Sequence, residues 1–170
     1  MLLVVPEARL VIAGKGVLQQ SLTDTARNLG IGDRVSFVGY VEGEPLAALY
    51  HAAHVLAAPS LYEPFGIVAL EGMICGKPVV AADVGGLREI VLDGQTGFRV
   101  PAGDATALAG ALVKILTDAD LAARLGAAGR ERAEEVYDWP QVARQTVDRY
   151  ANSRPDGAPP APTSPGDVPR

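Results

Sequence analysis

Two glutamates, Glu63 and Glu71, stand eight positions apart in the segment Glu-Pro-Phe-Gly-Ile-Val-Ala-Leu-Glu. Ionised carboxylates accept hydrogen bonds from neighbouring hydroxyl groups, and such charged bonds contribute about 1.5–3 kcal/mol each. If most of the steps between them are helical, with a rise of about 1.5 Å each, roughly 10 Å separates the two acids. A sugar and a ribose joined through a diphosphate lie a comparable distance apart. The spacing therefore suits a nucleotide sugar, although acids near a helix start also occur because they complement the helix dipole.

Between the two glutamates, the sequence predicts a loop that turns into a helix. Pro64 is a helix breaker, so Glu63 is expected on a loop after a strand. Gly66 has no Cβ and permits a ligand to approach the backbone closely. A helical pattern begins at about Ile67 and ends near Gly76. The first turn of such a helix has unpaired amides and a partial positive charge, which together suit a phosphate group.

Strand-like and helix-like segments alternate along the whole chain. Short apolar runs predict strands at residues 9–13, 34–38, 55–58, 78–81 and 98–100. Helical spacing predicts helices at residues 17–29, 45–52, 67–76, 87–92, 106–116, 118–125, 126–137 and 140–151, with Asp104 as a cap. This alternation predicts an α/β fold, a Rossmann-like parallel sheet with helices on both faces.

The predicted sheet also places the acidic segment on its ligand-binding side. Ligands of open parallel sheets bind beyond the carboxyl ends of the strands. Small residues follow four of the predicted strands directly, namely Gly14, Gly39, Ser60 and Gly85. Because Glu63 follows Ser60 closely, the glutamate segment is expected at the same edge of the sheet.

Composition narrows the class of protein. The chain has 170 residues, a net charge of −5, 48% hydrophobic residues and 21% charged residues, which indicates a soluble globular protein. No basic stripe is present, so we expect no nucleic-acid partner. The single cysteine, Cys75, lies in an apolar helical context and is predicted to be a small buried hydrophobe. One cysteine cannot form an internal disulfide, which is consistent with the cytoplasm.

Segment boundaries follow from composition as well. Residues 1–152 are predicted to form one Rossmann-like domain, and residues 153–170, rich in Pro, Ala, Gly and Ser, a disordered tail. No apolar run is long enough to span a membrane.

The sequence also argues against two other kinds of site. The turn at Gly14 and Gly16 lacks the third glycine of a dinucleotide fingerprint, which argues against an NAD site. His51 and His54 have no third ligand nearby, so we expect no metal site.

An ordered set of motifs resembles the C-terminal half of the retaining nucleotide-sugar glycosyltransferases of family 4, also called group 1. The motifs occur in the family's order and near its spacing, at residues 10–16, 34–40, 49–55, 59–66, 71–80, 85–91, 93–97 and 101–104. The resemblance implies the GT-B architecture, in which two Rossmann-like domains face each other across a cleft. The C-terminal domain of that pair holds the nucleotide-sugar donor, and the N-terminal domain holds most of the acceptor site.

The resemblance also implies roles for individual residues. Glu63 would be the catalytic-site acid that bonds the hydroxyls of the donor sugar, and Glu71 would take the ribose hydroxyls. The turn at Gly39 and Tyr40 would lie near the base. The other substrate-binding positions are loop residues or backbone amides around the cleft, namely Gly14, Gly16, Ser60, Phe65, Gly66, Ile67 and Val68.

One departure from the family pattern concerns the start of the chain. In the family, the donor domain opens with a strand and a basic segment whose Arg and Lys neutralise the diphosphate, and this chain is expected to begin after that point. Lys15 is the nearest basic candidate. Such enzymes need no divalent metal and no cofactor, because fixed positive groups replace them. We therefore expect a donor site with little or no turnover by this chain alone.

Several partners and alternatives stay open. The expected partners are a nucleotide sugar and an N-terminal acceptor domain or companion chain, and the complete enzyme could associate peripherally with a membrane. The base, the sugar and the acceptor are unspecified. The alternatives to a transferase domain are a sugar-nucleotide epimerase of the same architecture, a non-catalytic nucleotide-sugar-binding remnant or split subunit, and a fold relic without a ligand.

Overall fold

The computed structural model describes residues 1 and 4–152, with only the backbone described at 139, 140, 145, 151 and 152. The predicted tail at 153–170 lies outside the described residues. The elements in chain order are β1 (Leu10–Ala13), α1 (Gln19–Asn28), a 3-10 turn (Gly32–Arg34), β2 (Val35–Gly39), α2 (Gly43–Ala52), β3 (Leu56–Ala58), α3 (Ile67–Ile74), β4 (Val79–Ala82), α4 (Gly85–Ile90), β5 (Gly97–Val100), α5 (Ala105–Thr117), α6 (Ala119–Tyr137) and α7 (Trp139–Asn152).

The core is built around a three-stranded parallel sheet in the order β3-β4-β5. All four residues of β4 are buried, because its side chains alternate between two apolar layers. Val79 packs with Met73 of α3 and with α4 and α6 on one face, whereas Val80 packs with α5 and Leu125 of α6 on the other. The predicted α/β fold with helices on both faces is therefore confirmed.

The first two strands form a separate parallel sheet, β1-β2. The sequence pattern predicted one continuous sheet, whereas the strands divide between two. Within residues 4–152, β1 pairs only with β2 and β3 pairs only with β4. Leu10 and Val11 of β1 and Val38 of β2 are exposed. The apolar alternation of β1 and β2 therefore identified strands correctly, but it could not specify which strand pairs with which.

The predicted break inside α6 is wrong, and the start of α4 differs from its predicted position. Residues 118–125 and 126–137 were expected as two helices, but α6 runs without interruption from Ala119 to Tyr137. A Cβ at Gly126 would collide with the carbonyl oxygen of Gly76, so this glycine allows close packing instead of ending a helix. Helix α4 begins at Gly85, two residues before its predicted start.

Two local expectations have different outcomes. Asp104 caps α5 as predicted, because its carboxylate accepts hydrogen bonds from the amides of Thr106 and Ala107. Cys75 is half-buried, since it lies at the end of α3 and not inside the helix, so it is less buried than predicted. No helix in the described part of the chain combines the length and apolar character needed to cross a membrane.

Candidate functional site

The Glu63 loop connects β3 to α3 and is fixed at both its side chain and its backbone. The Glu63 Oε1 atom accepts a hydrogen bond of 3.1 Å from the backbone amide of Gly66. The Glu63 carbonyl accepts a second bond, 3.0 Å long, from the amide of Gly86 in α4. Glu63 is half-buried. This arrangement holds the carboxylate at the start of α3, where the partial positive charge of the helix is concentrated.

Gly66 is the residue that permits this turn. Its φ of +86° lies in the left-handed region, which side chains rarely adopt. A Cβ at this position would lie 3.0 Å from Ile90 Cδ1 and 3.1 Å from Leu87 Cδ2. Gly86 is equally constrained, because a Cβ there would collide with the carbonyl group of Phe65. The loop and the start of α4 therefore pack together only because both contain glycine at the contact.

The first amides of α3 are available to a ligand. The amides of Ala69 and Leu70 bond to the carbonyl oxygen of Gly66, whereas those of Ile67 and Val68 have no acceptor among the described residues. Phe65 and Ile67 are exposed, so this helix start faces solvent. Free amides and the helix dipole together make the start of α3 suitable for an anion.

Glu71 lies on the exposed face of α3. Ile67, Glu71 and Ile74 recur at helical spacing and are all exposed, whereas Ala69 and Met73 are buried on the opposite face. The face that carries Glu71 is therefore the one that continues from the open helix start.

Glu71 has a partner that the sequence did not reveal. Its Oε2 atom accepts a hydrogen bond of 2.7 Å from the hydroxyl of Tyr50, which lies in α2. Tyr50 is the buried residue of that helix. Burial and the hydrogen bond to Glu71 raise the pKa of the Tyr50 hydroxyl. The signal in the sequence was the Leu49-Tyr50 motif, which was noted for its resemblance but given no role.

The loops after β1 and β2 form a second group of predicted site residues. The amide of Gly14 donates a 2.6 Å hydrogen bond to the carbonyl oxygen of Gly39, so the two loops are adjacent. The Lys15 ammonium lies 6.0 Å from the centre of the Tyr40 ring. The Tyr40 hydroxyl donates to Glu42, and this bond raises the pKa of Tyr40.

A small cavity of about 140 Å³ lies at the carboxyl ends of β3, β4 and β5. Its lining is mostly apolar and includes Pro59, Val100 and Leu108. None of the predicted site residues lines it. In the described ranges, no cluster of His, Cys, Asp or Glu has the composition of a metal site.

Comparison with known proteins identifies the family. Residues 2–132 match the model of the family described as glycosyl transferases group 1. The chain belongs to the group 1 glycosyl transferases. The resemblance carried by the motifs between residues 10 and 104 is thus confirmed at the level of the family.

Relatives of this group 1 glycosyl transferase chain include enzymes that are named for different reactions. It is 39% identical over 160 residues to a glycogen synthase of Mycobacterium tuberculosis, a match that covers 94% of this chain and 39% of that enzyme. It is 40% identical over 153 residues to a D-inositol 3-phosphate glycosyltransferase of Stackebrandtia nassauensis, covering 87% of this chain and 34% of that enzyme. The chain therefore spans well under half the length of these relatives.

Solved structures support the fold. The sucrose-phosphate synthase of Thermosynechococcus elongatus superposes with a TM-score of 0.78 at 40% identity, covering 87% of this chain and 39% of that chain. HepE of Anabaena, solved in complex with UDP, superposes with a TM-score of 0.79 at 29% identity, covering 86% of this chain and 42% of that one. The same Anabaena protein has also been solved with UDP-glucose.

The predicted site residues of the group 1 chain fall into two groups. Residues 60–71 surround the start of α3, where contacts to Gly66 and Tyr50 engage the two glutamates. Gly14, Gly39 and Tyr40 form the other group, and Gly16 is exposed beside them. Tyr50 belongs to the helix that follows β2, and its hydroxyl joins that helix to Glu71.

Proposed function

We propose that this chain is the donor-binding domain of a retaining, family 4 glycosyltransferase that takes its sugar from a nucleoside diphosphate sugar. The observation that carries this proposal is the start of α3, where unpaired amides of Ile67 and Val68 lie between the carboxylates of Glu63 and Glu71 in sequence. Amides suit the diphosphate, and carboxylates suit hydroxyl groups on either side of it. The complexes of HepE with UDP and UDP-glucose support the same class of ligand.

The proposed chemistry assigns each part of the site one task. The Glu63 carboxylate accepts hydrogen bonds from the hydroxyls of the donor sugar, and the Glu71 carboxylate accepts them from the ribose. When the bond between the anomeric carbon and the diphosphate oxygen breaks, its electron pair passes to the diphosphate. A hydroxyl oxygen of the acceptor forms the new bond to the anomeric carbon, and its proton passes to the departing diphosphate. The amides of Ile67 and Val68 stabilise that developing charge, because they are already oriented before the reaction.

The remaining predicted positions complete the proposed donor site. Gly39 and Tyr40 lie near the base, Gly14 and Gly16 form the cleft floor, and Ser60, Phe65 and Gly66 border the sugar and phosphates. An acceptor domain outside this chain supplies the acceptor and the second wall of the cleft. We propose that the complete enzyme works in the cytoplasm without a metal.

Titration calorimetry with UDP and UDP-glucose tests the proposal. We expect Glu71→Gln to weaken UDP binding about tenfold, because a neutral amide replaces a charged acceptor. Glu63→Gln should weaken UDP-glucose binding while leaving UDP binding unchanged, since an amide oxygen can still accept from Gly66. Glu131→Gln is the matched control, because Glu131 is exposed on α6. Equal affinities of all three variants for both ligands would contradict the assignment.

A non-catalytic binding domain is the second candidate. Two basic side chains beyond β4, Arg88 and Arg99, both bond to Asp83, and Lys15 lies against Tyr40. These contacts engage cations that could otherwise neutralise a diphosphate. This chain alone should bind UDP-glucose and turn it over little in both cases, so the two candidates differ only once an acceptor domain is supplied. Release of UDP by the chain joined to the acceptor domain of a group 1 relative would exclude the non-catalytic candidate, and binding without release in that fusion would exclude the transferase.

A further inference from the structure

Helix α2 is held against the rest of the protein at its C-terminal end. Tyr50 is 8% exposed and is the buried residue of that helix. Its hydroxyl reaches Glu71 in α3 at 2.7 Å, and the Lys77 ammonium donates a 2.8 Å bond to the carbonyl oxygen of His51. Both contacts join α2 to the segment that begins at α3. The Tyr50–Glu71 bond is the one that involves a residue of the proposed site.

The hydrogen bond to Tyr50 makes the two oxygens of the Glu71 carboxylate different from each other. Oε2 accepts from Tyr50, whereas Oε1 has no donor among residues 4–152. Glu71 itself is exposed, so a glutamate here without a partner would sample several rotamers. Fixing one oxygen on the hydroxyl of a buried tyrosine restricts those rotamers and leaves the other oxygen of this exposed side chain available to a ligand.

The Tyr50 hydroxyl keeps its proton, and so remains a hydrogen-bond donor, throughout the neutral pH range. Because burial and the adjacent carboxylate raise the pKa of Tyr50, its phenol stays protonated. An O–H donor to a carboxylate forms a charge-assisted bond, which is shorter and stronger than a neutral one. The orientation of Glu71 is therefore set before any ligand binds.

We propose that Tyr50 is a positioning residue of the nucleotide site, whose hydroxyl holds Glu71 so that its free oxygen accepts hydrogen bonds from the ribose diol. The inference rests on the proposed function, because it takes Glu71 as the ribose acceptor. Binding to an oriented side chain avoids the entropy cost of ordering it, about 0.5–1.5 kcal/mol for a long side chain, which corresponds to about 2- to 10-fold in affinity.

The test compares UDP with 2′,3′-dideoxyuridine diphosphate, which lacks the diol. Calorimetry would be carried out on the chain and on Tyr50→Phe, Glu71→Gln, the double variant and Tyr137→Phe. Tyr137 is the control, because its hydroxyl bonds to the Glu89 carbonyl oxygen outside the proposed site. We expect Tyr50→Phe to reduce the preference for UDP over the dideoxy nucleotide about 2- to 10-fold, with dideoxy affinity unchanged.

The double variant and the control sharpen the result. Adding Tyr50→Phe to Glu71→Gln should cost less than it costs alone, because both changes disable one interaction. Tyr137→Phe should keep the full preference. The inference would be overturned, without affecting the proposed role of Glu71, if Tyr50→Phe retained the wild-type preference or weakened the binding of both nucleotides equally. A wild-type chain without any preference for the diol would overturn the role of Glu71 and the inference together.

Discussion

The two parallel sheets of this chain are made of similar residues but differ sharply in burial. Val79 and Val80 of β4 are 0% exposed, whereas Val11 of β1 is 49% exposed and Leu10 is 45% exposed. β4 lies between two strands and between helices on both faces, whereas β1 pairs with β2 alone among the described strands. The burial of a strand is therefore determined by the strands and helices that pack around it and not by its own composition.

The same contrast divides the proposed donor site. The start of α3, with Glu63 and Glu71, is built on the buried three-stranded sheet, and glycine contacts with α4 fix it further. The loops at Gly14 and Gly39 are carried by the exposed two-stranded sheet. We therefore expect the sugar and phosphate end of the site to be held more firmly than the end assigned to the base.

The largest expected difference between the two regions is in core packing. Leu125→Ala removes a fully buried side chain of α6 and should lower the free energy of unfolding by about 2–5 kcal/mol. Leu22→Ala makes the same change in α1, where the side chain is 45% exposed, and should lower it by less than about 1 kcal/mol. Urea unfolding of both variants measures the difference. Similar losses would mean that α1 is packed as tightly as α6.

A second comparison concerns glycine in the two regions. Gly66 and Gly39 both have positive φ, +86° and +72°. Gly66→Ala adds a clash with Ile90 and Leu87 to the backbone strain, whereas a Cβ at Gly39 meets open space. We expect Gly66→Ala to lower the free energy of unfolding by about 2–4 kcal/mol, and Gly39→Ala by about 1 kcal/mol, from strain alone.

Thermal unfolding monitored by circular dichroism separates these glycine variants. The ligand supplies an independent readout, because displacement of the α3 start in Gly66→Ala should also weaken UDP binding. If Gly39→Ala proved the more damaging change, the region around β1 and β2 would have to be the more constrained one, and the comparison would be reversed.

Local signals in the sequence predicted most elements of the fold. The strand at β4, the helix start at Ile67 and the Asp104 cap depend on neighbours a few positions away, so the pattern of residues was sufficient for them. The continuity of α6 depends on a contact between Gly126 and Gly76, fifty positions apart in sequence. A glycine that ends a helix and a glycine that packs against a distant carbonyl are identical in local sequence.

For the candidate site too, local patterns could be predicted from the sequence, whereas contacts between distant positions could not. The pair Glu63 and Glu71 was predicted from spacing and family resemblance, and its binding role stays a prediction. Both side chains lie at or along α3. Tyr50 was missed, because its contact with Glu71 spans 21 positions and joins two helices. The division of the sheet was missed for the same reason, since alternation identifies a strand but not its neighbour.

The smallest expected difference in unfolding free energy is between two aspartate variants, one at the N-cap of α5 and one on the exposed surface of α1. Asp104→Ala removes the cap of α5 beside the buried sheet, leaving two amides unpaired, and should cost about 1 kcal/mol of unfolding free energy. Asp24→Ala removes an exposed ion pair with Arg27 in α1 and should cost less than about 0.5 kcal/mol. Urea unfolding at low and high salt measures both. Only the Asp24 effect should shrink with salt, because an exposed ion pair is screened and an amide cap is largely not.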